Sequence, residues 1–414
     1  MPMPLQINFQ RLQDDIDTLS QIGRAENHGL YRMAFTDADI EARNWLVSRI
    51  KDAKLENHID EAANVHARYK WDGKRPSVIT GSHIDTVPGA GHLDGAMGVL
   101  AGLECLRRIS EEKIPLAYPL ECIAFSDEEG RFGGMLGSQA IAGQLTPETI
   151  FNARDLKGIM LSDVLNGLGY PTQNILRAQR RPDTIHAYVE LHIEQGPVLD
   201  RQALSIGLVD GIAGLLRWNV RLIGEANHAG TTPMNMRRDA LQGFAEVATS
   251  VNRILDEYGS PRSTATIGRV ETLPGAANVV PGQVNFSLDM RDTNMRTLEE
   301  ISDAFRRTIS AIARRHELMF EFDVVSRLEA VHCDAGILDV IADSSKQLDL
   351  EYMTLHSGAA HDAQMMASIA RTAMIFVPSK SGKSHSPTEW TAWEDIEKGA
   401  NVLLNTLVKL AGKK

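Results

Sequence analysis

One histidine and two aspartates in a short stretch have the types and spacing that suit a divalent metal ion. The stretch reads Gly81-Ser-His-Ile-Asp-Thr-Val-Pro and is followed by His92-Leu-Asp-Gly. Residues two apart on a strand face the same way, so His83 and Asp85 can share one side. We expect His83 to bind a metal while Asp85 holds its other ring nitrogen, with Asp94 reaching the ion from a loop. Taken alone, the pattern also fits polar surface residues.

A run of three acidic residues, Asp127, Glu128 and Glu129, follows a predicted buried strand that ends at Phe125. As a solvated turn this run would need no further explanation. However, open α/β sheets place their sites at the carboxyl ends of their strands. Bound cations would relieve the repulsion between the carboxylates, and a carboxylate left over could serve as a general base.

Two further histidines lie in similar settings. His192 is near the end of a predicted strand, before Gly-Pro, and His385 follows the predicted strand at 373–377. A single histidine in such a place is often only a structural hydrogen-bonding group. Together, the four strand ends supply nitrogen and oxygen ligands for two metal ions and leave positions for water, which is typical of a hydrolytic dinuclear site.

The elements that must position these residues alternate between strand and helix patterns. Short apolar runs bounded by turn residues predict strands, and apolar residues at helical spacing predict helices. The predicted strands are 77–80, 120–125, 187–193 and 373–377, and the predicted helices are 36–53, 95–109 and 393–410. This alternation predicts an α/β fold with a mixed, mostly parallel sheet and helices on both faces.

The pattern changes near Gly211 and returns to the α/β style after about Leu328. Between them, the order β-α-β-β-α-β predicts a ferredoxin-like α+β unit. Its predicted elements are 218–223, 238–258, 264–271, 283–291, 298–316 and 319–325. We therefore expect a catalytic domain of residues 1–212 and 329–414, with residues 213–328 inserted as a dimerisation or lid domain.

Composition excludes several classes of protein. The 414 residues carry a formal net charge of −11, which argues against binding to nucleic acid or to an anionic membrane surface. No apolar run is long enough for a membrane helix, and the first residues lack the pattern of a signal peptide. The three cysteines form no CxxC pair, so we expect free thiols and a reducing cytoplasmic location.

The motifs, taken together, resemble those of the M20 metallopeptidase-type amidohydrolases, specifically the hydantoinase/carbamoylase group. That group contains N-carbamoyl-L-amino acid hydrolases, β-ureidopropionases and allantoate amidohydrolases. The resemblance extends from about Arg24 to Val408, and a histidine at position 192 marks this group among M20 peptidases. The motifs are GSHIDTV, GHLDG, EEG, ELHIEQGPVL, GEANHAGTTPM, NVVPG, DMRD, SGAAHDA and SHSPTEW.

The resemblance implies two divalent metal ions per subunit, and imidazole with carboxylate ligands suits Zn, Mn, Co or Ni. The implied ligands are Asp94 between the ions, His83 and His192 on one ion, and Glu129 and His385 on the other. Glu128 is the implied general base, which takes a proton from the bridging water and later delivers it to the leaving nitrogen. Asp85 keeps its supporting role.

The resemblance also implies how the substrate is bound. Arg291 would pair with the substrate carboxylate, Asn278 would hydrogen-bond the same end, and His228 would stabilise the oxyanion. Gln195 would touch the carbamoyl group, and His361 is a further family position near the substrate. Related enzymes dimerise through the inserted domain, so His228 is expected to act in the partner's site of a homodimer.

We therefore expect hydrolysis of N-carbamoyl-L-amino acids to the amino acid, ammonia and carbon dioxide by metal-bound hydroxide. Allantoate-cleaving members of this group tend to have glutamine just after an Ile-x-Gly segment, where this chain has Leu215 in Ile212-Ala-Gly-Leu-Leu. The resemblance therefore implies an apolar substrate side chain, because burying an unpaired ureido arm costs about 1–3 kcal/mol. Thr231-Thr-Pro, by contrast, resembles the sequence of the allantoate amidohydrolases in this group. Hydrolysis of allantoate or ureidoglycolate therefore stays an alternative.

A catalytically silent binding module is a further alternative, although the complete ligand set with Glu128 argues against it. One departure from the family concerns the segment after the acidic run. Relatives often carry glutamate at Asp127 and a longer loop after Gly130, so the substrate contacts of that loop do not carry over.

Overall fold

The computed structural model describes residues 4–412, which contain sixteen strands and thirteen α-helices. The strands are β1 (Glu56–Ile59), β2 (Val65–Tyr69), β3 (Ser77–His83), β4 (Leu120–Phe125), β5 (Ile185–Ile193), β6 (Ile206–Ile212), β7 (Gly214–Ile223), β8 (Asn227–His228), β9 (Thr264–Thr266), β10 (Val270–Leu273), β11 (Val279–Val280), β12 (Gln283–Asp292), β13 (Met319–Leu328), β14 (Val331–His332), β15 (Tyr352–Ser357) and β16 (Thr372–Val377).

The helices vary from one turn and a half to almost six turns. They are α1 (Phe9–Leu19), α2 (Asp37–Asp52), α3 (Ala96–Glu111), α4 (Leu136–Ala142), α5 (Pro147–Asn152), α6 (Leu161–Gly167), α7 (Val198–Gln202), α8 (Ala240–Thr249), α9 (Val251–Tyr258), α10 (Met295–Arg315), α11 (Ala335–Gln347), α12 (Asp362–Met366) and α13 (Trp393–Ala411). Within residues 4–412, no helix has both the length and the apolar character that crossing a bilayer requires.

The chain divides into two units, Met1–Asp210 with Cys333–Lys414, and Gly211–His332. The boundaries expected from the sequence, 212/213 and 328/329, lie two and four residues away from these. The chain leaves the first unit along β6 and returns after β14. Each unit has a hydrophobic core of its own.

The first unit is built on a mixed sheet in the order β1-β2-β4-β3-β5-β16-β6, with β15 also paired to β6. The short strand β14 extends this order, and it pairs with Gly211 and Ile212, the end of β6 that belongs to the second unit. Its centre, β4-β3-β5-β16, is parallel, whereas the strands on either side are antiparallel. The central strands β3, β4 and β16 are buried at every residue, as expected for parallel strands with helices on both faces. The predicted α/β class with a mixed sheet is confirmed, with the parallel pairings confined to the four central strands.

The second unit contains an antiparallel sheet in the order β10-β12-β7-β13, with β9 also paired to β12. Helices α8, α9 and α10 pack on it through a core that includes Val220, Phe286, Leu288 and Phe305. The chain order β7-α-β10-β12-α10-β13 gives the ferredoxin-like arrangement that the sequence predicted.

Two details of the second unit differ from the sequence prediction. The helix expected over 238–258 is interrupted at Ser250, whose hydroxyl donates to the carbonyl of Val247 and so competes with helical hydrogen bonding. The strand expected over 264–271 is two strands, because the chain departs from the ladder around Gly268 between β9 and β10.

Candidate metal centre

The candidate ligands of the first unit lie at the carboxyl ends of neighbouring strands. His83 is the last residue of β3, His192 is the penultimate residue of β5, and the two strands are parallel neighbours. Glu128 and Glu129 follow β4, which pairs with β3 on its other side. Asp94 lies in the loop before α3. Because parallel strands end at the same edge of a sheet, residues far apart in sequence converge here.

Asp94 is the central group of this cluster. Its Oδ1 lies 3.1 Å from His192 Nε2 and 3.7 Å from His83 Nε2. Its Oδ2 lies 3.2 Å from His385 Nε2, which in turn lies 3.5 Å from Glu129 Oε1. Asp94 therefore belongs to two groups of three potential ligands, one with His83 and His192 and the other with Glu129 and His385. In each group the ligand atoms lie close enough together to hold one ion.

The ring orientation of two histidines directs a nitrogen into this cluster. His83 Nδ1 lies 3.0 Å from the backbone carbonyl of Asp85, and His192 Nδ1 lies 2.8 Å from that of Ile193. A carbonyl only accepts, so each Nδ1 must carry the hydrogen and donate it. Nε2 is then the nitrogen that can bind a metal, as in metal sites whose other ring nitrogen is held by a carbonyl.

The carboxylate of Asp85 has a different role from the one predicted. It lies 3.9 Å from His83 Nδ1, beyond hydrogen-bonding distance, and the backbone carbonyl of the same residue holds the ring instead. The carboxylate accepts hydrogen bonds from the backbone N–H groups of Glu128 and Glu129, at 3.3 and 3.2 Å. Asp85 therefore positions the acidic turn, and the prediction that its carboxylate holds His83 was wrong.

Glu128 and Glu129 are largely buried among other carboxylates. Burial, together with the charges of Glu129 and Asp362, raises the pKa of Glu128 well above its ordinary value. Burial and the charge of Asp94 raise the pKa of Glu129 to about 8. Removing carboxylates from water beside other carboxylates disfavours their ionised forms, and a nearby cation would reverse this effect.

The donor set fits a divalent metal site. Glu129 Oε1 is buried and has no hydrogen-bond partner among residues 4–412, which is costly for a carboxylate oxygen unless a ligand satisfies it. Imidazole nitrogens and carboxylate oxygens converge on the same volume, and this combination suits Zn, Mn, Co and Ni. The excess of buried negative charge is the second reason to expect cations here.

Gln195 and His361 also lie beside the cluster. Gln195 Nε2 donates to Asp94 Oδ2 at 2.7 Å, and its Oε1 is buried with no partner in the described part of the chain. His361 is 2 % exposed, and its Nε2 lies 2.8 Å from the hydroxyl of Ser357. The ring of His361 packs edge-on against His192 at 4.6 Å. The structure thus places His361 against a candidate ligand.

Three predicted substrate-binding residues belong to the second unit. His228 on β8 pairs with Val279 on β11, so the two-stranded sheet brings Asn278 next to the His228 loop, and the N–H of Ala229 donates to the carbonyl of Asn278. Arg291 on β12 forms an ion pair with Asp289, with Nε at 2.8 Å from Oδ1.

Two residues at the centre received no role in the sequence analysis. Glu389 and Ser384 both contact Asp94 or its backbone. Both lie inside the SHSPTEW motif, so proximity in sequence to His385 was the available signal. No local pattern, however, connects that motif to a loop almost 300 residues earlier.

The mixed sheet with an inserted ferredoxin-like unit, and a histidine and carboxylate cluster that fits a divalent metal at the strand ends, define a hydrolase of the M20 type. The model of peptidase family M20/M25/M40 matches residues 79–409, and the chain belongs to this family. It is an enzyme of the hydrolase class, and its relatives fall in the hydantoinase/carbamoylase group.

Among its relatives, the N-carbamoyl-L-amino acid amidohydrolase of Geobacillus stearothermophilus is 36 % identical over 411 residues, covering 98 % of this chain and 99 % of the relative. The allantoate amidohydrolase of Escherichia coli strain K12 is 33 % identical over 408 residues, covering 98 % of each chain. The crystal structure of an amidase of the hydantoinase/carbamoylase family from Burkholderia multivorans has a TM-score of 0.90 at 33 % identity, covering 99 % of each chain.

Proposed function

We propose that this enzyme hydrolyses the carbamoyl amide of N-carbamoyl-L-amino acids to the amino acid, ammonia and carbon dioxide. The observation that carries this proposal is the position of Asp94, whose two oxygens face two separate sets of ligand atoms with Glu128 beside them. Relatives that match almost the whole chain are named for this activity.

Two divalent ions would be held in this centre, one by His83, His192 and Asp94, and the other by Asp94, Glu129 and His385. When bound, such ions supply a Lewis acid for a carbonyl oxygen and lower the pKa of water. A ureido carbonyl needs this help, because two nitrogens donate electrons into it and make it a poor electrophile.

Glu128 is the general base in this proposal, because the other acidic residues at the strand ends are used as ligands or for positioning. Its Oε2 lies 3.5 Å from His83 Nε2, at the edge of the centre. Glu128 takes a proton from the attacking water and delivers it to the leaving nitrogen as the carbon–nitrogen bond breaks. Asp85 supports this step by holding the backbone of the acidic turn.

The remaining residues are assigned to the substrate. Gln195 Oε1 has no partner among residues 4–412 and would accept a hydrogen bond from the carbamoyl NH₂ group. Arg291 would bind the substrate carboxylate through its planar guanidinium, with Asn278 on the same end of the substrate. His228 would stabilise the oxyanion, and His361 would support the metal end of the site through its contact with His192.

An apolar substrate side chain is favoured by the position of Leu215. In the second unit, Leu215 lies directly opposite Arg291 on neighbouring antiparallel strands, so the two side chains share one face. In the first unit, a cavity of about 330 Å³ borders Glu129. Its apolar lining residues are Met33, Ala34, Val87, Pro88, Leu156 and Ile159. Its other lining residues include Arg131, Asp155 and Lys157, so it is beside Leu215 that the second ureido arm of allantoate would lose hydrogen bonds.

A homodimer through the second unit is part of the proposal. Strand β13 is at one edge of the five-stranded sheet and exposes Met319, Val324 and Val325. An exposed apolar edge strand is a surface that pairs readily with another strand, and a copy of itself satisfies two-fold symmetry.

Allantoate hydrolysis is the second candidate, supported by the relatives that carry that name and by Thr231-Thr-Pro. The decisive experiment measures kcat/KM for N-carbamoyl derivatives of glycine, alanine, leucine and phenylalanine beside allantoate and ureidoglycolate, on protein of known metal content. We expect the apolar N-carbamoyl-L-amino acids to be the best substrates. A higher kcat/KM for allantoate would favour the second candidate, and metal-loaded protein without turnover of any of them would favour a binding module.

A further inference from the structure

Glu389 connects the segment that carries His385 to the loop that carries Asp94. Glu389 is 3 % exposed, and its Oε1 accepts hydrogen bonds from the backbone N–H groups of Leu93 at 2.9 Å and Asp94 at 3.1 Å. Its Oε2 lies 3.0 Å from the hydroxyl of Ser384. A single side chain therefore contacts both loops of the metal centre.

Ser384 provides a second connection to the same aspartate. Its hydroxyl lies 2.8 Å from Asp94 Oδ2, the oxygen that also faces His385. Glu389 thus contacts the Asp94 loop directly through the backbone, and it lies beside the Ser384 hydroxyl, whose single hydrogen serves one of the two carboxylates at a time. The segment that carries Glu389 is itself anchored, because the N–H of Lys380 donates to the carbonyl of Trp390 at 2.8 Å.

The loop that carries Asp94 needs a hydrogen-bond acceptor from another segment to fix its backbone conformation. Gly95 has a φ of +63°, a backbone conformation that favours glycine, and Gly91 lies three residues before the aspartate. Glycines on both sides leave the loop with many accessible backbone conformations. A Cβ at Gly91 would overlap with Glu389 Oε1, so the glycine also makes room for the carboxylate.

We propose that Glu389 is a positioning residue that fixes Asp94 between the two metal positions and sets the distance from Asp94 to His385. This role rests on the proposed dinuclear centre. Asp94 can serve both positions only if each oxygen keeps its own partners, and a rotation of the loop would remove one of them. Losing a group that orients a metal ligand typically weakens metal binding about 10- to 100-fold.

Two substitutions separate geometry from charge. Glu389→Gln keeps the side-chain length and an oxygen that can accept from the two backbone N–H groups. Its NH₂ group can donate to the oxygen of Ser384, and the hydroxyl of Ser384 can still donate to Asp94. Glu389→Asp keeps the charge but is one methylene shorter and cannot reach the two N–H groups. We expect Glu389→Asp to weaken binding of Mn²⁺ or Zn²⁺ at least about 10-fold, and Glu389→Gln to bind within a few-fold of wild type.

The matched control is Asp60→Asn. Asp60 is another buried carboxylate, 6 % exposed, whose Oδ1 accepts two backbone N–H groups, from Ala62 and Asn64. It contacts none of the candidate ligands, so its substitution should lower the melting temperature without weakening metal binding. This control separates a general loss of stability from a loss of metal geometry.

Metal affinity is measured by competition with a chelator of known affinity, beside the melting temperature of the metal-free protein. Wild-type affinity in Glu389→Asp would overturn the positioning role. A loss in Glu389→Gln as large as in Glu389→Asp would also overturn it, because charge would then matter more than reach. If the wild type itself binds no divalent metal, the proposed function fails instead.

Discussion

Replacing Glu128 with glutamine keeps the side-chain volume and removes the carboxylate that we assign as the general base. The structure makes this test necessary, because the ligand atoms of both Glu128 and Glu129 lie close enough to those of His83 to share an ion with it. Either glutamate could therefore be the ligand, and the other the base.

The distances indicate what each substitution should change. Glu128 Oε2 lies 3.5 Å from His83 Nε2. Neither of the two groups of three potential ligands that contain Asp94 includes Glu128. Glu128→Gln should therefore keep its metal and lose about 10²- to 10⁴-fold in kcat, the range for general acid–base catalysis. This loss corresponds to about 2.7 to 5.4 kcal/mol of activation free energy. Glu129→Gln should weaken metal binding, because Glu129 completes the group with Asp94 and His385.

The assay combines metal content after dialysis with kcat for an N-carbamoyl-L-amino acid at saturating metal. Both glutamine variants are isosteric, so each serves as the control for the other. Loss of metal from Glu128→Gln, with metal retained in Glu129→Gln, would mean that the two roles are exchanged. Retention of wild-type kcat in Glu128→Gln with full metal content would refute a general-base role for this residue.

Three further outcomes are expected. Prolonged chelation should abolish turnover and added divalent metal should restore it, and full turnover by metal-free protein would contradict the two-metal proposal. Arg291→Lys should raise KM for carboxylate-bearing substrates roughly 10- to 100-fold with metal content unchanged, because a charge-assisted hydrogen bond is worth about 1.5–3 kcal/mol. Arg217→Lys is the matched control, since Arg217 also pairs with Asp289. An equal rise in KM in Arg217→Lys would show that Arg291 is not the specific binding residue for the substrate carboxylate. Mixing Glu128→Gln with His228→Ala subunits under exchange should restore roughly a quarter of wild-type activity, because about half of the dimers are mixed and each has one intact site. A verified mixed dimer without activity would show that His228 acts within its own chain or is not catalytic.

The central strands could be predicted closely because their pattern is local. The expected strand at 120–125 is β4 with the same bounds, and the expected strand at 373–377 is one residue shorter than β16. Strands that are buried on both faces read as continuous apolar runs, so the sequence reveals them directly. The outer strand β1, by contrast, reads Glu-Asn-His-Ile and is partly exposed, so no apolar run predicts it.

The residue types and their places at strand ends were also readable from the sequence. A histidine or carboxylate directly after a buried strand can be recognised from the sequence alone. Because the carboxyl ends of parallel strands lie at the same edge of a sheet, such residues are predicted to lie close together. His83, His192, His385 and the acidic run at 127–129 were chosen on that basis, whereas the choice of Glu129 within the run came from the family resemblance. The structure brings the three histidines and Glu129 to within hydrogen-bonding or ion-pair distance of another candidate ligand.

Only the tertiary structure decided which atoms face one another. The carboxylate of Asp85 points to the backbone of the acidic turn and not to His83, although alternation along a strand suggested the reverse. Glu389 contacts the N–H of Asp94 across 295 positions of sequence. Periodicity reports only the neighbours of a residue along its own element, whereas these contacts depend on loop conformations that are set where separate strands end side by side.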